Sequence, residues 1–240
     1  LRKPLVLHEQ NSVAGMANRV LASVAARVFT AFPNVLPRAR WIGNPLRVAF
    51  TRQGDPQTRF AGRSGPLRLL VVGGSLGARA LNEVVPQALA LIPQAQRPVV
   101  THQSGAAQID ALRAHYARVG VTAELTPFID DTAQAFADAD LIVCRAGAST
   151  VTEIAAVGAA AIFVPFPSAV DDHQTGNANF LVAQSAGWLI QQTALTPEWL
   201  AGMLQKMERT TLVQHALQAK KMQKVHATDD VVAACEELAT

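Results

Sequence analysis

Cysteine is scarce in this chain. Two in 240 residues, Cys144 inside an apolar run and Cys235 in the last helical segment, give neither a disulfide framework nor a metal-ligand spacing. Reduced thiols and a cytoplasmic protein are therefore expected. An excess of one charge is lacking too: 21 Lys plus Arg stand against 18 Asp plus Glu, a net charge of +3. No dense basic run with interleaved aromatics occurs, which argues against a dedicated nucleic-acid binder. No apolar run reaches the roughly 18 residues of a membrane span, and no signal peptide is visible. Repeats and low-complexity tracts are also missing. What is plentiful is apolar residue, half of the chain, enough to bury a large core in one or two domains.

The stretch Leu67 to Ala90 organises the rest. An apolar run, LRLLVV, meets Gly73, Gly74, Ser75 and Gly77, then apolar residues at Leu81, Val84, Val85, Ala88 and Leu89. The first part reads as a buried parallel strand and the last as one face of a helix. The turn between them requires glycine, because the backbone must reverse sharply. A helix starting there aims unpaired N–H groups and the positive end of its dipole at one spot, which suits a phosphate.

Upstream, Pro4 to Leu7 reads as a strand ending in the polar cluster His8, Glu9, Gln10, Asn11. Met16 to Ala26 has a helical look and Arg27 to Phe32 that of another strand. Ligands of open α/β sheets sit at the carboxyl ends of strands, so His8 to Asn11 either line a site or cap the next helix. Pro33, Pro37 and Pro45 punctuate a stretch ending in GNPLR, read as a crossing between domains. Further strands are expected at Leu67–Val72, Val99–Gln103, Leu125–Ile129, Leu141–Cys144, Ala160–Val164 and Trp188–Ile190, alternating with helices. That alternation predicts an α/β fold with a doubly wound parallel sheet. Thr196 then Pro197 marks a helix start, and Gly187 a helix stop.

Two features count against a nicotinamide dinucleotide. The second strand ends His102, Gln103, Ser104 where the ribose diol wants an acid, and GGSLGA lacks the three-glycine fingerprint. A P-loop is excluded because no Gly-Lys-Ser/Thr follows the glycines. The fourth strand is more informative: Cys144 and Arg145 lead through a small-residue turn into a helix carrying Glu153 one turn inside. An ionised carboxylate accepts hydrogen bonds and a vicinal diol offers two, so Glu153 suits a ribose. It would equally complement the helix dipole. Asn177, in the helix after Asp171, Asp172, His173 and Gln174, can read sugar hydroxyls or serve in a cap.

Taken together, LHEQNSVAGMANRVLA, GNPLR, VVGGSLGAR, THQSG, FIDD, CRAGASTVTEIAAVGAAAIFVPFP and DDHQTGNA closely resemble the bacterial MurG family, the N-acetylglucosaminyltransferases that complete lipid II in peptidoglycan synthesis. The resemblance covers nearly the whole chain but not a whole family member. The family's amino-terminal part, with glycine-rich loops and a histidine proposed as catalytic base, has no counterpart here. Leu76 replaces the glutamine common in the glycine loop, and Val170 to Asp172 is not a close copy.

The resemblance implies the GT-B glycosyltransferase fold, two Rossmann-like domains facing across a cleft. Residues 1–44 would be the end of the acceptor- and membrane-side domain. Residues 45–240 would form the UDP-N-acetylglucosamine domain, with a last helix returning toward the first. By matching motifs, Arg47 and Ser75 would meet the diphosphate, and the Ile129 backbone would meet uracil. Ala148, Ser149, Thr150, Val151, Thr152 and Glu153 would wrap the nucleotide, with Glu153 on the ribose. Gln174 would bond the sugar hydroxyls, Asn11 would match another donor-site position, and His8 and Glu9 would line the cleft as candidate catalytic groups. The implied reaction is inverting transfer of N-acetylglucosamine from UDP to the C4 hydroxyl of the lipid-linked muramoyl pentapeptide, lipid I, at the cytoplasmic membrane surface. Neither a metal nor a cofactor is called for, and this chain alone is expected to bind donor better than it catalyses. The alternatives are a UDP-N-acetylglucosamine epimerase of the same architecture and a nucleotide-sugar-binding module without catalysis. The cluster Lys220, Lys221, Lys224 reads as an anionic-lipid contact or a solvated helix face.

Overall fold

The computed structural model describes residues 3–74, 77–167 and 172–239. They form two sheets. The first orders β1 (Val6–Glu9), β2 (Arg27–Thr30) and β3 (Arg40–Trp41) as β1-β2-β3. The second contains β4 (Arg68–Val72), β5 (Val99–Gln103), β6 (Glu124–Thr126), β7 (Leu141–Cys144), β8 (Ala161–Phe163) and β9 (Trp188–Leu189), in the order β6-β5-β4-β7-β8-β9. Every pairing in both sheets is parallel. The order of the second sheet reverses between β4 and β7. In a doubly wound sheet that reversal opens a crevice at the strands' carboxyl ends, where ligands bind.

The helices are α1 (Met16–Leu21), α2 (Val48–Thr51), α3 (Pro56–Phe60), α4 (Arg79–Leu91), α5 (Ile109–Val119), α6 (Thr132–Asp138), α7 (Ala148–Val157), α8 (His173–Val182), α9 (Pro197–Gln205), α10 (Arg209–Lys221) and α11 (Ala227–Ala239). Strand side chains alternate between faces. Thus Leu69, Val71 and Val143 meet Leu81, Val85, Leu112 and Leu200 on one side of the larger sheet. Leu70, Ile142 and Cys144 meet Phe136, Ile154 and Leu181 on the other. Burial on both faces explains strands that read as continuous apolar runs. Each fully buried side chain of this size contributes about 1.5–3 kcal/mol. At the amino-terminal edge of this sheet, the fully buried Asp140 carboxylate accepts from Arg63 (2.7 Å), Arg209 (3.1 Å) and the Arg68 N–H (2.9 Å). Helix α11 packs Ala227 and Ala234 against Phe29 and Ile42, beside an Arg40–Asp230 ion pair at 2.6 Å.

The expected bounds coincide with the structure for β5 and β7. Elsewhere they shift. The first strand lies at Val6–Glu9 and not Pro4–Leu7, and helix α1 stops at Leu21 instead of Ala26. Strand β6 ends at Thr126 because Pro127 has no N–H to continue a ladder. The stretch read as a crossing contains β3, whose two residues extend the first sheet. Thr196 does cap α9, accepting from the Trp199 N–H at 3.1 Å. Gly187 is not a helix stop; a Cβ there would lie 2.7 Å from the Ala161 carbonyl, so its smallness lets β9 approach β8.

Candidate functional site

The carboxyl end of β4 turns through Gly73 and Gly74, the latter at φ +82°. A Cβ on Gly73 would sit 2.6 Å from the Ala78 nitrogen, and one on Gly77 (φ +75°) 2.1 Å from the Ser104 carbonyl oxygen. Close approach requires glycine at both places, and at Gly77 the backbone conformation does so as well. Helix α4 follows with no side-chain cap, so its first turn keeps donors for an anion. The call on Ser75, like the departure at Leu76, lies outside the described residues.

The end of β7 is the matching half of the crevice. Gly147 begins α7 without a side-chain cap, and the N–H groups of Ala148, Ser149 and Thr150 donate to no described residue. The next two positions behave differently. Val151 turns fully into the core, with its N–H bonded to the Gly147 carbonyl at 3.0 Å. The Thr152 hydroxyl returns to the Ala148 and Ser149 carbonyls. Helical periodicity thus sends the side chains of Val151 and Thr152 inward and brings Glu153 back out.

Glu153 is half-buried and accepts no hydrogen bond from a described residue. Burial raises its pKa to about 7, while the charge of Arg47 works in the opposite direction. Arg47 itself is exposed, with its guanidinium 4.9 Å from the centre of the Phe50 ring. Burial, and then Glu153, pushes the Cys144 thiol far up, so that it stays protonated within the core.

The loop after β1 closes on this edge through amides. Asn177 is fully buried; its carbonyl accepts from the Ser12 N–H (2.8 Å), and its NH2 donates to Asn11 Oδ1 (3.3 Å) and the Ala146 carbonyl (3.2 Å). Both ends of its amide are engaged in joining the two sheets' loops, where it was expected to read sugar hydroxyls or serve in a cap. Gly176 permits the contact, since a Cβ there would strike Ser12 Oγ at 2.4 Å. Asn44 donates to Thr152 Oγ1 and the Gln10 carbonyl, both at 3.4 Å, but its own Oδ1 is buried with no described partner. Gln174 Oε1 accepts from the N–H groups of Phe166 (2.9 Å) and Ala146 (3.3 Å), leaving its NH2 free of described partners.

Glu9 and His8 separate in character. Glu9 is 4% exposed, and its carboxylate accepts from the Asn11 N–H (2.9 Å), the Gly15 N–H (3.2 Å) and Asn18 Nδ2 (2.7 Å). Those donors engage it in shaping the 9–15 loop. His8 donates from Nε2 to the Gly43 carbonyl at 2.9 Å, and Nδ1 meets no described residue. Ile129 packs its side chain on the core; its carbonyl accepts from Thr132 Oγ1 (3.3 Å), and its N–H has no described partner.

Several residues were not singled out from sequence. Asn44 and Ser12 act through contacts distant in the chain. Gln103 was noted only as a non-acidic strand end, although a polar residue closing an apolar strand was a visible signal. The lysine cluster is largely consumed by packing: Lys220 donates to the Ala156 carbonyl, and Lys224 lies 4.3 Å from the Trp41 ring centre. Among the described residues, no group of three or more His, Cys, Asp or Glu could hold a metal ion.

Residues 68–233 match the glycosyltransferase family 28 C-terminal domain. The chain is 77% identical over 239 residues to the UDP-N-acetylglucosamine--N-acetylmuramyl-(pentapeptide) pyrophosphoryl-undecaprenol N-acetylglucosamine transferase of Polaromonas naphthalenivorans, covering 100% of this chain and 66% of that protein. It is 58% identical to the enzyme of the same name from Cupriavidus metallidurans, covering 100% and 67%. The crystal structure of Acinetobacter baumannii MurG aligns with a TM-score of 0.89 at 41% identity, over 98% of this chain and 67% of that one. Anabaena HepE, solved with UDP and glucose, shares the fold at 15% identity, with a TM-score of 0.61 over 99% and 72% of the two chains. The chain thus spans about two thirds of the length of the curated relatives it matches, 66% of one and 62% of another.

Proposed function

This chain belongs to the MurG family and carries its glycosyltransferase family 28 C-terminal domain, and from that premise we propose that it holds UDP-N-acetylglucosamine for inverting transfer to the C4 hydroxyl of lipid I. The observation that carries the proposal is Glu153: a half-buried carboxylate with no hydrogen bond from a described residue, at the point where the strand order reverses, opposite Arg47 and beside the uncapped start of α7. A ribose diol supplies the two donors that it lacks. The free N–H groups of Ala148 to Thr150, the glycine turn and Arg47 surround the diphosphate, the Ile129 N–H meets the base, and the Gln174 NH2 meets the sugar. Val151 and Thr152 support this arrangement from behind. Asn11, tied to Asn177, closes the donor site from the first sheet.

The chemistry asks for stabilisation of charge on the departing UDP and a base for the acceptor hydroxyl. Helix N-termini and Arg47 supply the first by electrostatics already oriented before reaction. For the second, His8 keeps Nδ1 available, whereas Glu9 is assigned to holding its loop. We divide the chain at residues 44 and 45, with the first sheet on the acceptor side. The packing of α11 on Phe29 and Ile42 supports a final helix that returns to it. The lipid acceptor places the reaction at the cytoplasmic membrane surface as a peripheral activity; no described helix is long and apolar enough to cross a membrane.

Release of UDP from UDP-N-acetylglucosamine, measured with and without a lipid I analogue, tests the proposal. Acceptor-dependent release is expected from the full-length protein. Release indifferent to acceptor, or epimerised sugar as product, contradicts it.

A further inference from the structure

One side chain with three hydrogen bonds at the carboxyl edge has no part in the chemistry above. Gln103 closes β5 and is 4% exposed. Its Oε1 accepts from the Gly74 N–H at 3.2 Å, and its Nε2 donates to the Gly74 carbonyl and to the Pro127 carbonyl, both at 3.0 Å. Strand β5 lies between β4 and β6, so its last residue reaches the loops that follow both neighbours. The main-chain ladder ends here, with the Gly73 N–H on the Gln103 carbonyl (3.3 Å) and the Ser104 N–H on the Thr126 carbonyl (3.0 Å). Beyond those bonds the Gln103 amide acts as one further peptide, pairing both ways with Gly74 and reaching across to Pro127.

The residue beside it holds the same strand end from the other face. His102 Nε2 bonds Asn82 Oδ1 at 3.0 Å, Nδ1 meets the Tyr116 hydroxyl at 3.0 Å, and Asn82 donates to Gln108 Oε1 at 2.8 Å. Gln108 lies directly against Gly77, at the far end of the glycine turn. The strand end that carries Gln103 is therefore itself fixed, and a bond from it transmits position to both loops.

We infer that Gln103 is a positioning residue that sets the distance between the glycine turn and the Pro127–Ile129 loop, so that one nucleoside diphosphate meets both at once. This rests on the reading of the site above, in which the turn takes the diphosphate and the loop takes the base. The role needs one acceptor and two donors on a flexible stem of this length, a combination specific to glutamine here: glutamate lacks the donors and asparagine lacks the reach. With both loops held before the ligand arrives, their ordering cost falls on folding and not on binding.

Two measurements on wild type, Gln103→Met and Gln103→Asn test this, with thermal melts to establish folding. Gln103→Met keeps length and packing but removes all three bonds; Gln103→Asn keeps the amide and shortens it, and serves if the first variant does not fold. Exchange of the Gly74 amide hydrogen is expected to speed up roughly tenfold or more in either variant, because its acceptor is lost or moved. Unchanged exchange in a folded variant overturns the inference. In calorimetric titrations, affinity for UDP-N-acetylglucosamine is expected to fall roughly tenfold or more while affinity for uridine, which touches one loop, falls less than about threefold. Equal losses for both ligands, or an unchanged affinity for the UDP-sugar, also overturn it. Wild-type chain that binds uridine but no UDP-sugar contradicts the reading of the site itself, and the Gly74 exchange then still decides whether Gln103 pins the turn.

Discussion

The two sides of the crevice at the carboxyl edge of the larger sheet are built from similar residues and finished differently. At the end of β5, Asn82 bonds both His102 and Gln108, His102 bonds Tyr116, and Gln103 bonds the neighbouring turns. Around the end of β7, the Glu153 carboxylate, Asn44 Oδ1 and the Gln174 NH2 have no described partner. Leaving a buried polar group unsatisfied costs about 1–3 kcal/mol. The first side avoids that cost within the protein. On the second, Asn44 Oδ1 is buried without a described partner and the half-buried Glu153 and Gln174 are left to solvent or a ligand, which supports the proposal that this is the binding face.

The comparison is broken most forcefully on the satisfied side. Asn82→Leu leaves His102 and Gln108 without their shared partner and is expected to lower unfolding free energy by about 2–5 kcal/mol in a denaturant titration. A loss under about 0.5 kcal/mol, the range of surface substitutions, would show that this network does not hold the edge. On the unsatisfied side the effect moves from stability to binding. Glu153→Ala is expected to weaken UDP-N-acetylglucosamine by roughly 1.5–3 kcal/mol, as for hydrogen bonds to a charged group. Its melting temperature should hold or rise, because a desolvated carboxylate has been removed. Unchanged affinity in the folded variant would return Glu153 to complementing the dipole of α7.

Acid and base sharpen the same contrast with opposite signs. Burial lowers the His102 pKa from 6.5 to about 3, so below pH 6.5 the unfolded chain takes up a proton that the native one refuses. This contribution makes stability fall with acidification, by about 2 kcal/mol at pH 5, until the slope ends near pH 3. His102→Gln should flatten that part of a pH series of melts; an unaltered slope would exclude His102 as its source. Glu153 has a native pKa raised to about 7 from 4.5, so the native state holds its proton longer, and this contribution to stability declines as pH rises from 4.5 through 7. Binding that uses the ionised carboxylate reverses the sense for the ligand: affinity for UDP-N-acetylglucosamine should increase modestly from pH 6 to pH 8 and lose that dependence in Glu153→Ala. A flat profile in the wild type would mean that the carboxylate's charge is not used.

The larger sheet was legible because both its faces are buried at the centre, which makes β4 and β7 largely apolar runs between turns. The glycine turn and the β7–α7 junction were legible because their requirements are local: glycine where the backbone turns, small residues where a helix must begin unobstructed. Strand β3 and helices α2 and α3 escaped, being too short for a period and held by neighbours distant in sequence. The inward face of α7 was readable too, since Val151, Ile154 and Ala155 recur at helical spacing. The duties of Glu9, Gln103 and Asn177 could not be read at all. Each is defined by which groups come within 3.3 Å of its side chain, and only the folded chain brings those groups into place.

The central claim is that the unpaired side of the crevice receives a UDP-sugar. Calorimetric titration of this chain with UDP-N-acetylglucosamine, run beside UDP-glucose and NAD, tests it most directly. The account predicts saturable binding that prefers the N-acetylated sugar, weakens in Glu153→Ala and does not extend to NAD. Binding to NAD alone, or UDP-sugar binding that Glu153→Ala leaves intact, would contradict it.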